Sequence, residues 1–87
     1  MYKLTKLNSF KPSNIPNGSN ASGIALSLTE STTQTIKCIE DVKVGTSIEI
    51  LNVDGYLRTS WIEKVLDINS QYAIFESTIG EYKLERV

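Results

Sequence analysis

From Gly23 onward, apolar residues recur at every second position in short runs, and turn-forming residues interrupt them about every 8–12 positions. A period of two sends successive side chains to opposite faces of extended backbone, so this stretch can bury a face only as strands. Ile24, Leu26 and Leu28 alternate with Ala25 and Ser27 in the first run. Residues 29–33 read as a turn or strand end, residues 35–39 as a second strand, and residues 41–45 break the pattern. Residues 47–53 resume it, with Ile48 and Ile50 on one face. Asp54-Gly55 then sits between two apolar runs, where a two-residue type I′ turn predicts a hairpin. Residues 61–68 also contain helical spacing at Ile62, Val65 and Leu66, but their β-branched content and shortness favour a bent strand. Residues 72–77 and 81–86 form a last pair turning near Ile79-Gly80.

Ahead of Gly23 the character changes. Residues 8–22 hold both prolines, Pro12 and Pro16, among Asn, Ser and Gly, with Phe10 and Ile15 as the large apolar groups. A stretch this long without periodicity is expected to be a functional loop or a disordered arm. The chain therefore divides into residues 1–22, a strand and polar arm, and residues 23–87, the β domain. Tyr2 to Leu7 could add an edge strand. The expected architecture is all-β: a small antiparallel barrel of about six strands, since closure removes the exposed edges of a thin sheet.

Length and composition narrow the function. Eighty-seven residues suffice for one domain with a thin core. Net charge is -1, so no overall field draws the chain to nucleic acid or to an anionic membrane. Lys3, Lys6 and Lys11 nevertheless give the front a local charge of +3, against -4 for residues 30–87. The single Cys38 cannot form an internal disulfide, which favours a reducing, cytoplasmic setting. The first residues lack the apolar h-region of a signal peptide, and no apolar run approaches the ~20 residues of a membrane span.

Histidine is absent, which removes His-based nucleophile systems and the commonest metal ligand. Cys38 is expected to be a buried small hydrophobe. Glu63, Asp67, Glu76, Glu81 and Glu85 could in principle supply a carboxylate pair, but solvated strand faces explain them more simply. No Gly-rich phosphate loop occurs. The chain is thus expected to be no enzyme and to carry no cofactor or metal.

Three binding roles remain. In the first, a protein partner is engaged by the arm through Phe10, Ile15, Lys3, Lys6 and Lys11, which order on contact. In the second, single-stranded nucleic acid is bound by Tyr56, Arg58 and Trp61, combining stacking with positive charge. Tyr56 and Arg58 share a strand face, whereas Trp61 has the other parity unless the strand bends. In so small a barrel, such rings more commonly fill the core. The third role is a structural subunit of a homo-oligomer.

Gly45, Ile48-Glu49-Ile50, Gly55-Tyr56-Leu57-Arg58-Thr59-Ser60, Ile62, Val65, Tyr72-Ala73-Ile74-Phe75-Glu76-Ser77 and Tyr82-Lys83-Leu84 make a cadence that resembles small SH3-like β-barrel proteins of bacteriophages and mobile elements. The resemblance covers about residues 44–87. It implies an SH3-like barrel and a phage-type accessory role, as a virion component or an inhibitor of a host protein. It assigns no functional residues.

Overall fold

The structure is a computed structural model and describes residues 1–53 and 55–87. It is all-β, with eight strands: β1 (Tyr2–Ser9), β2 (Asn20–Leu28), β3 (Thr33–Thr35), β4 (Ser47–Asn52), β5 (Gly55–Arg58), β6 (Ile62–Ile68), β7 (Tyr72–Ser77) and β8 (Gly80–Arg86). The antiparallel path runs β5-β4-β2-β1-β8-β7-β6, and β3 pairs with β2 off that path. Ile62 exchanges backbone hydrogen bonds with Gly45 and Thr46 (2.9 and 2.8 Å), but no ladder joins β5 to β6. Hydrogen bonds therefore do not close the sheet into a barrel, and eight strands replace the expected six. The sheet still curls strongly. A flat sheet layer is about 10 Å thick, whereas the molecule measures 31 × 28 × 27 Å.

The curl encloses one core. Leu4, Ile48, Ile50, Ile62, Phe75, Tyr82 and Leu84 are buried from five different strands, together with Ile36, Ile39 and Val42 from the connection between β3 and β4. Phe75 and Tyr82 lie opposite each other in the ladder and stack, with ring centroids 6.0 Å apart. Burial raises the Tyr82 phenol above its usual range.

Several expectations shift. Residues 2–9 form a strand as expected, but β1 lies between β2 and β8 rather than at an edge. The division at Gly23 falls inside β2, whose front half pairs with β1 and whose back half pairs with β3 and β4. Residues 35–39 do not continue as a strand. The Asp41 carboxylate accepts the N–H groups of Lys37 (3.0 Å) and Cys38 (3.3 Å), taking donors a ladder would use. The chain instead enters a 3₁₀ turn at Ile39–Asp41, and Cys38 is exposed at its start, not buried. The expected hairpin is present, but not with Gly55 in its turn: Asn52 lies opposite Gly55 and Leu51 opposite Tyr56, so Gly55 opens β5, while Asp54 lies outside the described residues. Of residues 61–68, Ile62–Ile68 form the expected bent strand, β6, with two register shifts, and Trp61 lies just before it.

In β2 the period of two holds, with its large residues outward. Gly23 and Ala25 are buried while Ile24 is exposed. Gly23 explains the choice of face: a Cβ there would lie 2.0 Å from the Leu51 carbonyl oxygen. Only glycine lets β2 approach β4 so closely, and that approach fixes which residues face in.

Candidate interaction surface

The inverted face of β2 sets up the most exposed apolar surface of the sheet. Ile24 is paired with Leu51, and Leu51 with Tyr56, so the three side chains form one row across β2, β4 and β5. They are 57%, 41% and 70% exposed. Directly opposed side chains in a sheet lie about 5 Å apart, so the row is a contiguous strip about 10 Å long. The next row on the same face is Leu26, Glu49 and Arg58. Scattered apolar residues on a surface mean little, whereas these three adjoin as one contiguous apolar row.

Tyr56 and Arg58 are thus brought together on one exposed face, as their parity requires. Trp61 is not part of that face. It lies in the crossing from β5 to β6, where its carbonyl accepts the Thr78 N–H (3.1 Å). Its side chain lines a shallow pocket of about 440 Å³ with Thr29, Glu30, Ser31 and Gly45. Neither Tyr56 nor Trp61 fills the core, contrary to the expectation for rings in a small barrel. The core rings are instead Phe75 and Tyr82, which alternate inward from β7 and β8. Tyr72 is half-buried on the outer face, donating to Asp67 (3.0 Å) beneath the Lys83 amine, 4.8 Å from its ring centre.

The arm is folded back on the sheet. Lys6 N–H donates to Ser19 O, Gly18 N–H to Lys6 O, and Phe10 N–H to Ile79 O, at 2.7–2.8 Å. Lys6 is fully buried, and its Nζ donates to the Ile15 carbonyl at 2.7 Å. The five arm residues therefore do not share a surface. Lys6 points inward, Ile15 is half-buried, Lys3 is half-buried on β1, and Phe10 and Lys11 are exposed. Sequence reasoning missed the inward Lys6 because a lysine in a strand is normally solvated. Its signal was its parity with Tyr2 and Leu4, both core residues.

Cys38 stands beside Glu40 and Asp41. Partial desolvation and these two neighbours push its thiol above the usual range, so little thiolate is present at neutral pH. Among the described residues no group of three or more His, Cys, Asp or Glu is placed to hold a metal ion, and no helix is long and apolar enough to cross a membrane. No family model matches this chain, and neither a curated protein nor a solved structure matches it.

Proposed function

We propose that this chain is a non-enzymatic protein-binding module whose docking surface is the outer face of β2, β4 and β5. The observation that carries the reading is the registered row of Ile24, Leu51 and Tyr56, exposed together although the fold has an interior for apolar side chains. Arg58 and Glu49 flank the row as a polar rim, the arrangement that contact surfaces favour. The strong curl and the cadence of residues 44–87 support an SH3-like barrel as the finer description of the fold. With that description goes an accessory role of the phage type, as a virion component or an inhibitor of a host protein, in the host cytoplasm or the virion.

This face replaces the arm as the first candidate, because Lys6 and Ile15 are engaged within the molecule. Residues 1–22 are no detachable tail either, since their removal takes β1 from between β2 and β8. The arm's exposed contribution reduces to Phe10 and Lys11.

The test is capture from nuclease-treated bacterial lysate with immobilised protein. A discrete protein should bind the wild type and a Leu66→Ser, Ile68→Ser control, and be lost from Ile24→Ser, Leu51→Ser. Equal capture by both variants would sink the reading. A second reading, single-stranded nucleic-acid binding, is favoured by the shared exposure of Tyr56 and Arg58. It requires affinity that falls steeply with salt, and Glu49 beside Arg58 and Glu30 beside Trp61 oppose it.

A further inference from the structure

The end of the sheet at β5 offers more than side chains. Antiparallel ladders alternate bonded and non-bonded pairs. Thr59 N–H donates to Ile48 O (2.9 Å), which makes Leu57 and Gly55 the positions bonded to Ile50 and Asn52. The N–H and C=O groups of Tyr56 and Arg58 therefore point away from β4. Among the described residues no strand lies on that side. The edge carries no bulge and no proline; what limits it is its four-residue length and the single charge of Arg58.

We propose that β5 pairs with β5 of a second copy, antiparallel, about a twofold axis at Leu57. This register sets Tyr56 of each copy opposite Arg58 of the other. Each such pair exchanges two backbone hydrogen bonds, so the edge that supplies two outward donors and two outward acceptors satisfies all of them with its own duplicate. The side chains match as well. Arg58 is directly across from Glu49 in its own chain, and the other copy's Tyr56 ring would complete the second side of the guanidinium as a cation–π contact. A foreign strand could use the same backbone groups, but only a second copy presents this reciprocal Tyr and Arg spacing. The contact is four residues long, well short of the area of permanent dimers, so the dimer is expected to be weak and concentration-dependent. It does not rest on the docking surface described above: pairing leaves Ile24 and Leu51 uncovered and places two such rows on one continuous face.

Sedimentation equilibrium from about 10 μM to about 1 mM tests this. The average mass should rise from 9.7 kDa toward twice that value. Arg58→Glu, which opposes Tyr56 with an acid and adds charge beside Glu49, should weaken association at least tenfold while the β circular-dichroism spectrum is unchanged. Tyr56→Glu should retain association, because an acid then faces Arg58 of the other copy. In a Cys38→Ser background, Leu57→Cys should form an intermolecular disulfide on oxidation, since non-bonded partners at the axis lie within disulfide range. A wild type that stays monomeric at the highest concentration, an Arg58→Glu protein that associates normally, or a dimer that Cys at 57 does not cross-link would each overturn the proposal.

Discussion

The two ends of the sheet, β5 and β6, are built differently. β6 pairs with β7 through two register shifts and carries Glu63, Lys64 and Asp67 along seven residues. Bulges and charges are the usual means by which an edge strand is kept from recruiting another chain. β5 has an unshifted ladder and four residues, with exposed Tyr56 and Arg58 at the outward positions. It also continues an apolar row inward to Leu51 and Ile24. The two ends thus differ in kind: β6 is long, bulged and carries three charges, whereas β5 is short and unbulged with one outward charge. The shorter, straighter edge is the one whose pairing is proposed.

The largest expected effect removes what both ends depend on. Phe75 is fully buried against Tyr82 at the centre of the core, and Phe75→Ala should cost about 3–5 kcal/mol in urea unfolding. Both ends should then loosen together. Gly23→Val separates them. Its Cβ cannot coexist with the Leu51 carbonyl, so about 1–3 kcal/mol should be lost. Amide exchange should speed up in β4 and β5 while β7 and β8 keep their protection. Uniform loss of protection would show that the two ends are not independently supported.

A smaller effect concerns the loop over the β1–β8 side. Lys6→Met deletes the hydrogen bond to Ile15 but also removes a polar group from the interior, so stability should change by less than about 1 kcal/mol. Exchange at Gly18 and Ser19 should rise, with no change at β5. The smallest effect is in acid. The Asp41 carboxyl sits below its ordinary range, chiefly because the Lys37 N–H bonds its charged form. A lowered folded value means this contribution is complete above the unfolded value of 3.8 and fades as pH falls through the folded one. Asp41→Asn should therefore flatten the stability curve below about pH 4, and an unchanged acid limb would deny the carboxylate that role.

Much of the architecture could be read from the chain. Strands β6, β7 and β8, the hairpin around Asn52 and Gly55, and the shared face of Ile48 and Ile50 all follow from period and turn residues. Pattern alone could not choose a face. In β2 the alternation is equally regular either way, and the decision rests on Gly23 meeting a carbonyl that is 28 residues distant in sequence. Residues 35–39 failed for a similar reason, since the Asp41 carboxylate competes locally for strand donors. The sequence offered Tyr56 and Arg58 as neighbours on one face, and the structure keeps them so. It could not offer their row with Leu51 and Ile24, which exists only once the register across three strands is known.

Residue-resolved amide hydrogen exchange, in dilute and in concentrated protein, most directly tests whether β5 is the working end. The Tyr56 and Arg58 amides should exchange freely when dilute and become protected when concentrated, while amides along the outer edge of β6 exchange alike in both. Tyr56 and Arg58 amides that exchange at the same rate at every concentration, or new protection along β6 instead, would contradict it.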